Sequence, residues 1–187
     1  RHMLLYQALN WQPPQFAHLP MILGPDRAKL SKRHGTTNIA DYQLQGYLAR
    51  AMINFLALLG WSLDDRTELL SPEELIKHFS LGRISKTAAI FNKDKLEWMN
   101  GVYLRKLSLE EFAHQAMPFL DRDLPSSVKR PLDSDYVHQV MPLIQERART
   151  LAEVPQLSDL FFLDELQYDT QLLLSKGMEP TQATQII

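Results

Sequence analysis

The sequence predicts a mostly α protein with a small α+β part near its start. Three observations carry this: apolar residues recur at three and four positions over long stretches, two Ser-x-x-Glu capping boxes open helices, and only two short segments suit extended chain. Short extended pieces are predicted at Pro20 to Leu23 and Ala88 to Phe91. Tyr47, Leu48, Ala51, Met52, Phe55, Leu56 and Leu59 share one stripe of a helix ending at Gly60. Ser71-Pro72-Glu73-Glu74, with proline at the first helical position, opens a helix through about Phe79. Ser108-Leu109-Glu110-Glu111 opens another to about Leu120. Pro125 to Pro131, with Ser126 and Ser127 inside it, reads as a loop. Tyr136, Val137, Val140, Met141, Leu143, Ile144 and Ala148 form a further amphipathic stripe, and Leu160 to Leu174 adds helical material. No internal repeat or low-complexity tract interrupts this order.

The 187 residues, 45% of them hydrophobic, suffice for one core or two small ones. A net charge of −2 does not announce a nucleic-acid binder, but the distribution is uneven. Residues 83 to 106 carry Arg83, Lys86, Lys93, Lys95, Arg105 and Lys106 against Asp94 and Glu97, whereas residues 150 to 175 hold five acids and no Lys or Arg. A polyanion should approach the first region and avoid the second. The chain has no cysteine, which removes disulfides and thiolate metal sites and suits a reducing cytosol. No apolar run nears the roughly 20 residues that span a bilayer, so no membrane association is expected.

The most informative stretch is Lys29-Leu30-Ser31-Lys32-Arg33, followed by His34 and Gly35. Two ammonium groups three positions apart, a hydroxyl between them and a guanidinium beside them can all reach one polyphosphate on an irregular backbone, which Gly24, Pro25 and Gly35 supply. Such a loop can stabilise charge building on departing pyrophosphate. Four basic residues within seven also describe a solvated surface loop, and composition alone does not choose between the two.

The flanking residues do choose. Phe16-Ala17-His18-Leu19-Pro20-Met21-Ile22-Leu23-Gly24-Pro25-Asp26 precedes the basic loop. Gly46-Tyr47-Leu48, Asn54 to Ser62 (NFLALLGWS) and Phe91 to Gly101 (FNKDKLEWMNG) follow it. In this order and spacing the chain resembles bacterial-type glutamyl-tRNA synthetase, a class I aminoacyl-tRNA synthetase, most closely over residues 1 to about 107. The resemblance implies that the pentapeptide is the second class I signature. Lys32 would be the catalytic residue on the ATP phosphates, with Lys29, Ser31 and Arg33 completing the ATP-binding loop. It implies ligation of glutamate to its tRNA through glutamyl-adenylate, using ATP with Mg2+ on the phosphates, in a cytoplasmic, monomeric enzyme. It also implies residues 1–107 as the end of a catalytic domain with a stem-contact domain, and 108–187 as an all-helical anticodon-binding region, cut short.

The sequence departs from that family in lacking the His-x-Gly-His signature and the arginine-bearing glutamate pocket. It therefore reads as an internal piece of a longer synthetase, inactive alone. An alternative is a stand-alone tRNA-binding module that kept the fold and lost the chemistry. A leading Arg-His-Met can also be read as a vector remnant. A relative that glutamylates a modified tRNA base is disfavoured by the helical region after Leu107. Glutaminyl-tRNA synthetase is disfavoured by the absence of alternating β patterns there.

Candidate tRNA contacts are Lys86, Lys95, Arg105 and Lys106, because RNA helices are gripped through phosphates and 2′-hydroxyls, and Arg147 and Arg149, whose guanidinium groups suit an unstacked base. Each also reads as a solvated surface cation, and the two arginines as cations near a helix C-terminus. Trp61 and Trp98 stand beside apolar stripes and are expected in the core. His34 either approaches a phosphate or belongs to the turn. Asp64 and Asp65, adjacent, should point apart. No spacing suggests a metal site.

Overall fold

The computed structural model describes residues 1–35 and 37–163. The acids at 164, 165 and 169 and the expected helical material from 164 onward lie outside the described residues. The chain divides into two compact units, Arg1–Tyr103 and Leu104–Ile187. Eight α-helices are described: α1 (His2–Ala8), α2 (Ile39–Leu44), α3 (Ala49–Ala57), α4 (Pro72–His78), α5 (Lys93–Arg105), α6 (Leu109–Asp123), α7 (Ser134–Gln145) and α8 (Val154–Ser158). The expected extended pieces meet only through isolated bridges, Leu23 with Lys29 antiparallel and Leu23 with Ile90 parallel.

Both capping boxes form as expected. Ser71 Oγ accepts from the Glu74 N–H and the Glu74 carboxylate accepts from the Ser71 N–H, which satisfies two amides that the first turn of α4 leaves open. Ser108 and Glu111 do the same for α6. The stripe around α3 is shorter than its periodicity suggests. Tyr47 and Leu48 are buried but precede the helix, and Gly60, at φ +93°, turns the chain beyond it. At that φ a side chain would be strained, so glycine is needed there.

In the first unit Tyr42, Tyr47, Met52, Phe55, Leu96 and Met99 form the core, with Phe91 packed against it. Phe91 meets Phe55 edge-on at 5.0 Å between centroids and lies 6.1 Å from Tyr42. Burying one such ring stabilises by about 1.5 to 3 kcal/mol. A satellite core gathers Trp61, Leu70 and Leu75. Two buried asparagines satisfy loop amides: Asn54 Oδ1 accepts from Leu70 N–H at 3.0 Å and Asn100 Oδ1 from Leu48 N–H at 2.8 Å. Trp61 is buried as expected, but Trp98 is 45% exposed, a correction to the core expectation. On α5 the buried positions are Leu96, Met99, Asn100, Gly101 and Leu104, and Trp98 falls outside that stripe.

In the second unit α6 packs against α7 and α8 around Phe112, Ala113, Ala116, Leu120, Val137, Val140, Met141, Ile144 and Val154. Tyr136 and Leu143, expected on the α7 stripe, are instead exposed. The Arg130 guanidinium, in the expected loop, donates to Val128 O at 2.8 Å and to Leu124 O at 3.3 Å, closing the C-terminal end of α6.

Candidate functional site

The basic loop stands on a fixed base. Leu23 N–H donates to Ala89 O at 2.9 Å and Leu23 O accepts from Phe91 N–H at 2.8 Å, so the segment leading into the loop is fastened to the residue whose ring packs on the aromatic core. Gly24 N–H to Ala28 O, 2.8 Å, and Leu30 N–H to Ile22 O, 3.0 Å, then fold residues 22–30 back on themselves. Asp26 Oδ1 accepts from Ala28 N–H at 2.9 Å inside that turn, and Arg27 takes the positive φ of 60°.

The second half of the loop is a single 3-10 turn, Lys32–His34, with Ser31 at its N-cap. Ser31 N–H donates to His34 Nδ1 at 3.1 Å, and Ser31 Oγ lies 3.3 Å from the same nitrogen. Nδ1 is thus an acceptor, which puts the ring proton of neutral His34 on Nε2. Nε2 faces Asp26 Oδ1 at 3.1 Å, an ion-pair distance short of hydrogen-bond alignment. Arg33 reaches Asp26 Oδ2 at 3.2 Å. The Ala28 amide foremost, then His34 and Arg33, hold the Asp26 carboxyl below its ordinary range. The imidazole lies under Gly24, where a Cβ would come within 2.8 Å of the ring.

Of the expected ATP-binding residues, Lys29 and Lys32 project exposed side chains that make no ion pair among the described residues. Ser31 and Arg33 are engaged inside the loop. Asp26, which sequence reasoning left without a role, and Gly24, read there only as a source of backbone irregularity, complete the arrangement with His34. Their signal was a Ser-x-x-His variant of the capping box and an Asp two residues ahead of an amide. Beneath the loop a cavity of about 200 Å³ is lined by Pro25, Leu30, His34, Tyr42, Phe91 and Lys93, among others.

Of the expected RNA-facing cations, Lys86 and Lys95 lie in the first unit and the other four in the second. Lys86 is exposed beside a shallow cavity of about 440 Å³ that His18 and Pro20 also line. Lys95 is committed, its Nζ 2.6 Å from Glu68 Oε1. Within the second unit, Gln145 Nε2 donates to Leu104 O and to Leu107 O, both at 2.9 Å. This buried amide fastens the end of α7 to the chain carrying Arg105 and Lys106, so both flank one junction with Arg147 and Arg149, all four exposed. Gln145 had no sequence signal, because it sits beside an apolar stripe like any polar helix residue. Among the described residues no group of three His, Cys, Asp or Glu could hold a metal, and no helix is long and apolar enough to cross a membrane.

The first unit thus carries a firmly based, lysine-bearing loop, and the second is helical over its described residues; the class of protein that combines them is given by the family matches. Residues 1–98 match tRNA synthetases class I (E and Q), catalytic domain, and residues 111–187 match an anticodon binding domain. The chain belongs to the class I tRNA synthetases of this glutamate and glutamine type. It is 54% identical over 178 residues to a glutamate–tRNA ligase of Dehalococcoides mccartyi (strain CBDB1), covering 95% of this chain and 37% of that protein. It is 41% identical over its whole length to one from Herpetosiphon aurantiacus, covering 38% of it. Among solved structures, the crystal structure of a glutamate-tRNA synthetase from Elizabethkingia anophelis superposes with a TM-score of 0.72 at 32% identity, covering 91% of this chain and 37% of that one. The chain thus spans somewhat over a third of the length of these relatives.

Proposed function

We propose that this chain supplies the ATP-phosphate loop and tRNA-contacting regions of a glutamate–tRNA ligase. The observation that supports it most is the pair of exposed ammonium groups, Lys29 and Lys32, which make no ion pair among the described residues, on a loop anchored to the core. In the proposed reaction a carboxylate oxygen of glutamate attacks the α-phosphorus of ATP, the bond to the bridging oxygen breaks, and pyrophosphate leaves. A hydroxyl of the terminal adenosine of the tRNA then takes the glutamyl group and AMP departs. Lys32 stabilises the charge on departing pyrophosphate, and Lys29 adds a second cation. Magnesium would arrive on the nucleotide phosphates, which it binds through their oxygens.

The region up to about Leu107 serves as the end of the catalytic domain with the stem-contact part, and residues 108–187 serve anticodon binding. Lys86, Arg105, Lys106, Arg147 and Arg149 meet RNA, and Lys95 does so only if its pair with Glu68 opens. Exposed apolar side chains at Leu4, Leu5, Leu9, Trp11 and Phe16 fit a segment built to pack against more protein, which favours the larger enzyme over a stand-alone tRNA-binding module.

Lys32→Ala in the full-length enzyme tests the loop. Pyrophosphate exchange should fall by about 100-fold or more while tRNA affinity stays within twofold, because the charge is needed chiefly in the transition state. Surviving exchange with collapsed tRNA affinity would refute the phosphate role. For the alternative, saturable binding of a glutamate-tRNA transcript by this chain, with no loss of glutamylation in cells lacking it, would favour the module.

A further inference from the structure

We infer that His34 is a positioning residue for the phosphate loop, acting through Ser31 on one ring nitrogen and Asp26 on the other. The inference rests on the phosphate-loop reading and extends it to a residue that touches no nucleotide in that reading.

A seven-residue stretch carrying Arg27, Lys29, Lys32 and Arg33 should splay, since like charges repel and each long side chain favours freedom. His34 opposes this in three ways. Nδ1 takes the Ser31 amide, fixing the start of the 3-10 turn that carries Lys32. Nε2 faces Asp26, which is itself fixed by the Ala28 amide and holds Arg33 on its other oxygen. The ring face fills the space under Gly24 and leaves only 9% of its side chain exposed. The imidazole therefore ties the turn at 24–28 to the turn at 31–34, and the residues between them, Lys29 and Leu30, are held at both ends. A flexible turn residue would have none of these contacts.

The two nitrogens can be separated by substitution. Asparagine places Oδ1 near the position of Nδ1, so it can still accept the Ser31 amide, while it cannot reach Asp26. Glutamine reaches toward Asp26 and loses the acceptor beside Ser31. Alanine loses both.

The test is ATP-dependent pyrophosphate exchange in the full-length enzyme carrying His34→Asn, His34→Gln or His34→Ala, with Lys32→Ala beside them. Nitrogen-15 NMR of the unmodified 187-residue chain supplies a second readout. Loss of one ordering hydrogen bond predicts a five- to tenfold lower kcat for His34→Ala and His34→Gln, with the KM for ATP within about twofold and His34→Asn within twofold of wild type. NMR should find the Nε2–H tautomer. If Lys32→Ala abolishes exchange but all three His34 variants match wild type, the phosphate reading stands and the positioning role is overturned. If His34→Asn fails as badly as His34→Ala, or the ring carries its proton on Nδ1, the Ser31 half is overturned. If Lys32→Ala leaves exchange intact, the underlying reading fails and the inference with it. Should the variants unfold, seen as loss of the thermal transition, the tautomer decides alone.

Discussion

Gly24→Ala adds one methyl group at the point where loop and imidazole meet. The new Cβ would lie 2.8 Å from His34 Cδ2 and 2.9 Å from Cγ and Nε2. Ordinary carbon contacts settle near 3.5 to 4.0 Å, so the ring has to withdraw by about 0.8 Å. The Ser31 N–H to Nδ1 distance is already 3.1 Å, and a displacement of that size stretches it past hydrogen-bonding range. Losing that bond costs about 1 kcal/mol, and leaving the half-buried amide poorly solvated adds up to about as much again. The ratio of ordered to open loop should thus fall about 5- to 30-fold, at 1.4 kcal/mol per tenfold. The backbone bonds of Leu23 to Ala89 and Phe91 do not involve the ring, so the fold should survive. Pyrophosphate exchange by the full-length variant should drop five- to thirtyfold, with the Ser31 amide resonance of this chain displaced. Exchange within twofold of wild type together with an unmoved Ser31 amide would refute the packing of His34 under Gly24 as the loop's organiser.

Gln145→Leu removes two hydrogen bonds at a buried junction and strips the carbonyls of Leu104 and Leu107 of a donor, so urea unfolding should show a loss of about 2 kcal/mol; a change under 0.5 kcal/mol would mean that water replaces the amide. Arg105→Gln should flatten the salt dependence of tRNA binding by about one unit of slope, and Lys95→Gln by clearly less, because Lys95 is already neutralised by Glu68. Equal slopes would show that the Glu68 pair opens on binding. Acid should weaken the turn at 64–67: the amides of Arg66 and Thr67 and the Thr67 hydroxyl hold the Asp64 carboxyl below its ordinary 3.8. The folded value lies under the unfolded one, so the stabilisation is present above about pH 4 and is lost as pH falls through the depressed value. Asp64→Asn should remove that part of the thermal-midpoint change, and a midpoint that rises on acidification in wild type would contradict the sign.

Local rules made four of the eight described helices, α3, α4, α6 and α7, legible in sequence, and missed α5. Ser71 and Ser108, each with glutamate three residues on, marked helix starts because a side-chain acceptor and a returning carboxylate need only that spacing. Periodicity was less exact about edges. Tyr47 and Leu48 are buried without being helical, and Trp98, Tyr136 and Leu143 read as core but lie exposed, since a stripe of three and four has two plausible centres until its partner is known. The basic loop was legible as a motif, but not its internal ties. Asp26 and His34 are eight residues apart and meet only because Gly24 to Ala28 closes on itself. Gln145 reaches carbonyls some forty residues away, and no local pattern reports such a contact.

The charge balance of the loop explains why its two lysines stay outward. Asp26 is the one acidic residue in the first 40, set among Arg27, Lys29, Lys32 and Arg33. If it were mobile, it would sample all four cations and blunt the field of the loop. The Ala28 amide fixes one of its oxygens, and the carboxylate pairs its charge with Arg33 while the His34 ring faces it. What remains unneutralised is on Arg27 and the two lysines, and the compact ammonium groups of the lysines act as point charges toward whichever phosphate oxygens approach, without the bidentate geometry a guanidinium imposes. A polyphosphate whose charge moves from bridging to leaving oxygens during reaction is better served by such adaptable cations on a stiff base than by a rigid fork. The same reasoning predicts an asymmetry: Lys32→Arg should recover less exchange than the conservation of charge suggests, and Arg33→Lys, which keeps a cation near Asp26, should cost little. Equal rescue by both would show that loop charge alone, without its distribution between clasped and outward groups, governs pyrophosphate departure.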